Sequence, residues 1–425
     1  MIANPQLLAV AIFLVTYLFI ILFYHRKTPI LWAAVALLLA LRIETVAQAL
    51  DAIDWNVILL YFGMLFVSEV FLYSKMPDYL ATRIASRTQS VRLAMVLLCV
   101  FTGALSIMLE NVAVVLLVAP IGLSIARKCG ISPVLLFIGM AVSSNLQGAA
   151  TLIGDPPSML LAGFAKMNFN DFFVVAGRPS IFFAVQLAAI VSAIVLYFLF
   201  RDYERRMPPI EKEEHVSVVP TILVGLLVAA LVAGSCIDHG FAYMAGTLCC
   251  VFGVLSFLWY LWHSSAAQLR DFVSKLDWQT GLFLIGVFVL VESLAVTGVM
   301  KEIADFILRV AGSRPVFVYV LIVGISVLVS AFVDNVPFLV AMLPVTAILV
   351  ERTAMSPYLL YFGLLLGASI GGNITPIGAS ANIVAAGIIR KQGYPLKFME
   401  FVRVGLPFTL ASIGASALFV WLVFG

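Results

Sequence analysis

The sequence contains few charged residues, only 11% of its 425 positions, whereas a soluble globular domain carries about 25%. It also has only 5 cysteines and 4 histidines, and neither type occurs at the spacing of a metal site or a disulfide framework. The formal net charge of +3 does not indicate a nucleic-acid surface. These absences argue against a soluble enzyme, a nucleic-acid partner and any cofactor or metal other than a transported or coupling ion.

Hydrophobic residues make up 63% of the chain, and several apolar runs reach the ~20 residues that cross a bilayer. The sequence therefore predicts an all-α polytopic membrane protein. Full spans are predicted at 5–24, 29–49, 56–74, 180–200, 218–234, 241–262, 279–297 and 404–424. Most of the 25 Lys and Arg residues fall on one side of these spans, which is then the cytoplasmic side. We expect a multi-pass protein of the cell inner (plasma) membrane with both termini outside.

Two longer apolar regions, 92–127 and 315–352, have room for two helices each. Neither has a polar loop at its middle, only an acid followed by asparagine: Glu110-Asn111 in the first and Asp334-Asn335 in the second. This pattern predicts two re-entrant helical hairpins.

The regions that follow, 133–166 and 357–390, are each interrupted midway by glycine-rich sequence. Each is predicted to be one crossing helix broken at its centre. The prediction is thus about ten transmembrane helices plus two re-entrant hairpins, with two of the helices broken.

An internal repeat relates the two halves of the chain. Residues from Ser106 to Gly154 align without a gap with residues 224 positions later, and Asn, Pro and Gly recur along with apolar residues. The repeats are assigned to 1–200 and 217–425, joined by a polar cytoplasmic linker at 201–216. Each repeat holds an odd number of crossings, so the second copy is expected to be inverted, as in many transporters.

The helix breaks read "SSNLQGAATLIGDPPS" at 143–158 and "GASIGGNITPIGASAN" at 367–382. Glycine permits close backbone approach and proline removes a hydrogen-bond donor; the breaking residues are Gly148, Gly154, Pro156, Pro157, Gly372, Pro376 and Gly378. The half-helix N-termini beyond the breaks suit an anion, and freed carbonyls suit Na+. Neutral donors and acceptors come from Asn145, Gln147, Thr151, Asn373, Thr375, Ser380 and Asn382.

Five acids are predicted inside the membrane: Glu69, Glu110, Asp155, Glu292 and Asp334. Arg42 is the only base predicted well inside a span, so these acids have no evident basic partner. Buried carboxylates of this kind are costly unless they bind a proton or a cation, which makes them candidates for H+ or Na+ coupling. Two alternatives stay open: Glu69 and Glu292 lie near the membrane surface, and Asp155 is a helix cap.

The segments "SIMLENVAVVLLVAP", "SNLQGAATLIGDPPS", "SAFVDNVPFLVAMLP" and "GGNITPIGASANIV" resemble the ArsB/NhaD permeases of the ion transporter superfamily. That group includes arsenite and silicon efflux proteins, sodium/proton antiporters and P proteins, and is distantly related to citrate and divalent-anion symporters. The resemblance implies a scaffold domain and a transport domain, often in a homodimer, with elevator-like movement. It implies a binding site at Asn111, Asn145, Thr151, Asp155, Asn335, Asn373, Thr375 and Asn382. Glu110 and Gln147 depart from the family pattern, where Asp and Gly are usual.

These features favour an ion-coupled secondary transporter for a small anion or oxyanion-like solute, working by alternating access. A Na+/H+ antiporter without an anion substrate is the alternative, supported by the five acids. No arginine lies at the breaks, although arginine commonly binds strong anions; a weakly charged solute, or an anion bound together with Na+, is therefore favoured. An enzyme is not expected, because Asp155 has no acidic counterpart at Ala379 and no Ser/His pair is evident.

Overall fold

The computed structural model describes residues 5–23, 26–206, 217–238, 240–312 and 314–425. The helices of the first half are α1 (Pro5–Leu22), α2 (Lys27–Ala40), α3 (Val46–Asp51), α4 (Trp55–Tyr73), α5 (Met76–Ser86), α6 (Val91–Ser106), α7 (Asn111–Cys129), α8 (Val134–Gly148), α9 (Pro156–Ala165) and α10 (Ile181–Leu199). A two-residue strand pair, β1 (Val174–Val175) and β2 (Arg178–Pro179), lies between α9 and α10.

The helices of the second half are α11 (Val219–Gly234), α12 (Met244–His263), α13 (Ala266–Lys275), α14 (Trp278–Val296), α15 (Val299–Ala311), α16 (Pro315–Ser330), α17 (Asn335–Thr353), α18 (Pro357–Gly371), α19 (Ser380–Lys391) and α20 (Phe398–Phe424). Most of the predicted linker, 207–216, lies outside the described residues. Within the described part of the chain, 9 helical segments are long and apolar enough to cross a membrane. The all-α polytopic prediction is confirmed.

Helices in the first half of the chain begin at positions that correspond to helix starts in the second half. Helices α6 and α7 begin 224 residues before α16 and α17, and α4 begins 223 residues before α14. The four-residue connections 107–110 and 331–334 lie where the two hairpin tips were predicted. This recurrence supports the repeat, whereas its inversion and the re-entrance of the hairpins remain predictions.

The predicted full span at 29–49 is wrong. Helix α2 ends at Ala40, and Arg42 adopts a left-handed backbone with φ of 53°. A new helix, α3, then begins because the Thr45 side chain accepts from Gln48 N while the Gln48 side chain binds Thr45 N. Such a capping box starts a helix, so the apolar run is divided in two.

No helix was predicted in the connections that contain α5, α13 and α15. All three are amphipathic, and α13 begins with a capping box formed by Ser265 and Gln268. An apolar face opposite a charged face is typical of helices that lie at an interface and do not cross a membrane. For α13 the S-x-x-Q pattern was the available sequence signal.

Helices α4 and α12 are packed at very short range. A Cβ atom on Gly63 would lie 2.3 Å from the Cys249 carbonyl carbon, and one on Gly246 would lie 2.4 Å from Asn56 Oδ1. Asn56 also accepts from Gly246 N at 2.8 Å and donates to the Phe241 carbonyl at 3.0 Å. Small residues at helix contacts permit this approach inside a membrane, and side-chain amides hydrogen-bond across such contacts.

Candidate functional site

Both hairpin tips and the starts of α9 and α19 surround one small cavity, which we call the central cavity. Its volume is about 40 Å³, room for roughly three water molecules. It is lined by Lys27, Glu110, Asn111, Val112, Asn145, Asp155, Pro156, Pro157, Asp277, Thr280, Phe283, Asp334, Asn335, Val336, Ala379, Ser380 and Ala381. The structure therefore brings together three of the five predicted coupling acids.

The N-termini of α7, α9, α17 and α19, the four helices that follow the hairpin tips and the breaks, meet at this cavity together with those of α2 and α14, and each carries a partial positive charge. Three of the four that follow the tips and breaks are capped by carboxylates. Glu110 accepts from Ala113 N at 2.9 Å, Asp155 accepts from Ser158 N at 3.2 Å, and Asp334 accepts from Val336 N at 3.3 Å. Ala379 precedes α19 and provides no capping side chain. The N-terminus of α19 is thus the one of the four without a built-in anion.

A chain of side-chain amides links the two repeats beneath the cavity. Ser106 Oγ donates to Asn111 Oδ1 at 2.5 Å, and Asn111 Nδ2 approaches Asn145 Oδ1 at 3.4 Å. Asn145 Nδ2 then donates to both Asn373 Oδ1, at 2.8 Å, and Asn382 Oδ1, at 2.9 Å. Of these amides, Asn111 and Asn145 line the cavity, while Asn373 and Asn382 are fully buried behind it.

The two break threonines fasten the hairpin tips to the broken helices. Thr151 Oγ1 donates to the Ile107 carbonyl, and Thr375 Oγ1 donates to the Ala331 carbonyl. The two bonds occupy equivalent positions in the two repeats. These hydroxyls therefore hold each hairpin tip against the neighbouring helix break. Neither threonine lines the central cavity.

Glycine is required at Gly148 for steric reasons. A Cβ atom there would lie 2.4 Å from Asn111 Oδ1 and 3.0 Å from Asp155 Oδ2, while one on Gly154 would lie 2.3 Å from the Gly148 carbonyl oxygen. The prolines Pro156 and Pro157 occupy the first two positions of α9, where the missing N–H has no intrahelical partner in any case. The second break has the same construction, with Gly372 facing Gly378 and Pro376 in the intervening loop.

Lys27 lines the central cavity but was not predicted as a site residue. Its Nζ lies 3.1 Å from Asp334 Oδ2 and 4.7 Å from the centroid of the Phe283 ring. The Lys27 and Asp334 side chains are only 11% and 7% exposed. The expectation that the buried acids have no basic partner is therefore wrong for Asp334. Lys27 was assigned to a cytoplasmic loop, but it begins α2, and its long side chain reaches inward along apolar surface.

Asp277 was missed as well. It caps α14 by accepting from Thr280 N at 3.0 Å and from Thr280 Oγ1 at 2.6 Å, and it lines the central cavity. Its signal in the sequence was the recurrence of Asp-Trp at Asp54 and Asp277. With Asp277 included, four acids and Lys27 line the cavity, and Lys27 is the only base among the described residues that do so.

Three predicted site residues, Gln147, Glu69 and Glu292, do not line the central cavity. Gln147 pairs with Gln186 of α10, whose Nε2 donates to Gln147 Oε1 at 2.8 Å. Asn335 lines the cavity at the start of α17. Glu69 and Glu292 lie outside it, each in a separate vestibule. Asp155 does act as a helix cap through Oδ1, while its Oδ2 has no hydrogen-bond partner among the described residues.

Two vestibules flank the central cavity. The Glu69 vestibule, about 420 Å³, is lined by Glu69, Asp78, Glu110, Val112, Pro120, Lys275 and Asp277, with further apolar residues. The Glu292 vestibule, about 520 Å³, is lined by Asp51, Asp54, Lys166, Glu292, Val340 and Pro344, among others. The Glu69 vestibule shares Glu110, Val112 and Asp277 with the central cavity, whereas the Glu292 vestibule shares no lining residue with it.

Comparison with known proteins identifies the family to which this chain belongs. The model of the citrate transporter family CitMHS matches residues 17–302 and 251–425. A 46 kDa membrane protein of Mycobacterium leprae is 31% identical over 98% of both chains, and an uncharacterized transporter of Mycobacterium tuberculosis is 32% identical over 88% of both. The mouse P protein is 27% identical over 95% of this chain and 58% of its own length.

The YdaH transporter of Alcanivorax borkumensis shares the fold, with a TM-score of 0.62 at 12% identity over 99% of this chain and 98% of that one. The resemblance to permeases of the ion transporter superfamily is confirmed, as is the expectation that the protein is not an enzyme. The chain is a multi-pass membrane transporter and belongs to the citrate transporter (CitMHS) family.

Proposed function

We propose that the protein is a cation-coupled secondary transporter that carries a small carboxylate anion through the central cavity, which at about 40 Å³ must widen to admit that anion. The observation that carries this proposal is the uncapped N-terminus of α19 beside Lys27 in a cavity that is otherwise lined by acids. Helix N-termini and ammonium groups bind anions. The surrounding carboxylates provide positions for the cation that balances the charge.

The two broken helices are chemically different at their N-termini. Asp155 and Ala379 have nearly the same extended backbone, with φ/ψ of −148°/161° and −146°/149°. At α9 the Asp155 carboxylate fills the capping position. A substrate carboxylate at α19 would occupy the matching position and accept from first-turn N–H groups that have no partner within the helix. The Asn382 N–H is not one of these, because it donates to the Ala379 carbonyl at 3.1 Å.

The cation positions are assigned to Glu110, Asp155 and Asp334, with Asp277 as a further candidate. Asp155 Oδ2, on a residue only 1% exposed, has no hydrogen-bond partner among the described residues. A buried carboxylate oxygen without a donor favours a bound proton or cation. Na+ and H+ both satisfy this requirement, and the experiment below separates them.

The arrangement supports alternating access. The Glu69 vestibule reaches the central cavity at Glu110 and Asp277, while the Glu292 vestibule does not. Lys275 and Asp78 at the Glu69 vestibule belong to the side with most basic residues, which is cytoplasmic by the positive-inside rule. The structure is accordingly proposed to be the cytoplasm-facing state of an elevator-like cycle, in an inner-membrane homodimer with both termini outside.

Na+/H+ antiport without an anion is the second candidate. It is favoured by the excess of acids over bases among the described residues that line the cavity. Under this reading Lys27 has no substrate to bind and serves only to neutralise Asp334.

The test is flux in proteoliposomes that contain a pH-sensitive dye, with Na+ or proton gradients imposed and with citrate or succinate added outside. Saturable carboxylate uptake that is driven by either gradient supports the proposal and identifies the coupling ion. Proton movement that follows addition of Na+ alone, with no carboxylate uptake, would instead establish antiport.

A further inference from the structure

The Lys27–Asp334 ion pair joins two different parts of the molecule. Lys27 is on α2, which is fixed to α14 by the bonds from Thr28 Oγ1 to the Gln279 carbonyl at 3.2 Å and from Trp32 Nε1 to the Leu282 carbonyl at 3.2 Å. Asp334 is at the tip of the second hairpin, as the cap of α17. Any movement of the hairpin relative to α2 and α14 must therefore separate the two charges.

Each oxygen of the Asp334 carboxylate accepts one hydrogen bond in this arrangement. Its Oδ1 accepts from Val336 N at 3.3 Å and its Oδ2 accepts from Lys27 Nζ at 3.1 Å. A cation that approaches Oδ2 is repelled by the ammonium group that already donates to it. Likewise, a substrate anion that approaches Lys27 meets the negative charge of Asp334 in a site with little exposure to water.

We propose that Lys27 is the substrate-binding cation of the central cavity, and that Asp334 holds it until a bound Na+ ion neutralises the aspartate. This inference rests on the proposed function and adds the residue pair that couples the two ligands. The cation replaces Lys27 on Asp334, and the substrate carboxylate replaces Asp334 on Lys27. Each ligand needs the same pair to separate, so the binding of one must strengthen the binding of the other to an equal degree.

Other titratable groups face this pair from neighbouring elements. They are Glu110 of the first hairpin, Asp277 of α14, Asp155 of α9 and Tyr17 of α1. All of them are neutral or negative, so none replaces Lys27 as the attracting charge for an anion. Lys27 is also the only base among the described residues that line the cavity.

The inference is tested by equilibrium binding of radiolabelled citrate to the purified full-length protein. The citrate Kd is measured at pH 8 with and without Na+. In the wild type, Na+ should tighten citrate binding at least tenfold. Asp334→Asn should bind citrate without added cation within a few-fold of the cation-saturated wild type. Lys27→Gln should bind citrate at least tenfold more weakly with and without Na+, and Lys27→Arg should recover most of the loss.

Two further variants separate this role from a structural one. Arg352→Gln breaks the ion pair with Asp305 at the other end of α17 and should keep the wild-type cation dependence. The double variant Lys27→Gln/Asp334→Asn has no unbalanced charge and should fold, yet bind citrate weakly and without cation dependence.

The outcomes are distinguishable. No saturable carboxylate binding by the wild type under any condition would refute the proposed function itself. Wild-type binding with unchanged citrate affinity and cation dependence in Lys27→Gln would refute only the inference about the ion pair. Wild-type binding that does not respond to Na+ would also overturn it.

Discussion

The substitution Ala379→Asp tests directly where the substrate carboxylate binds. The backbone at Ala379 matches that at Asp155 within about 12° in both dihedrals, since φ/ψ are −146°/149° and −148°/161°. An aspartate at 379 can therefore adopt the capping conformation that Asp155 shows. Its carboxylate would occupy the position that the substrate is proposed to take.

The expected loss of affinity can be worked out from Coulomb's law. If a displaced substrate carboxylate lies about 5 Å from the new aspartate, repulsion at an effective dielectric constant near 20 is about 3 kcal/mol. This corresponds to roughly a hundredfold weaker binding. Helix capping by the aspartate contributes about 1 kcal/mol of stability, whereas burial of a fifth carboxylate beside the four acids of the cavity acts against it, so the stability of the variant is measured together with its affinity.

The assay is the citrate Kd at pH 8 with saturating Na+, together with the melting temperature of the purified protein. Ala379→Asn is the matched control, because it caps the helix with almost the same shape and no charge. We expect Asn to weaken binding by less than tenfold and Asp by roughly a hundredfold. Wild-type affinity in Ala379→Asp, with a normal melting temperature, would show that the anion does not bind at the start of α19.

Three further predictions concern stability, each read as the melting temperature in detergent. Asn145→Leu should destabilise the protein by about 3 kcal/mol, because two buried amide oxygens lose their shared donor; an unchanged value would contradict the network. Thr375→Val should cost about 1 kcal/mol, whereas Thr409→Val, whose hydroxyl has no partner among the described residues, should be neutral or stabilising. Burial, and then the Glu292 carboxylate, raise the pKa of Glu44 to about 7. Glu44→Gln should therefore stabilise the protein above pH 7 and leave it unchanged below pH 4.5; equal effects at both would refute this.

Much of the candidate site could be predicted from local sequence. The acid–asparagine pairs and the glycine- and proline-rich breaks are short patterns whose backbone consequences are local. The asymmetry between Asp155 and Ala379 was also visible, because the repeat aligns them. Gln147 was predicted as a site residue for the same local reasons, but its side chain pairs with Gln186 of α10. A contact between two distant segments cannot be read from the local sequence of either segment.

The membrane-spanning class, the two hairpins' positions and the recurrence of the two halves were determined by the sequence itself, because hydrophobic length and repeated residues are properties of the chain alone. The tertiary structure decided which charges meet. Lys27 and Asp334 are 307 positions apart, and only the packing of α2 and α14 against the tip of the second hairpin brings them within 3.1 Å. Burial then forces the two charges to pair, since an isolated charge in a dry site is costly, and no local pattern around either residue encodes that contact.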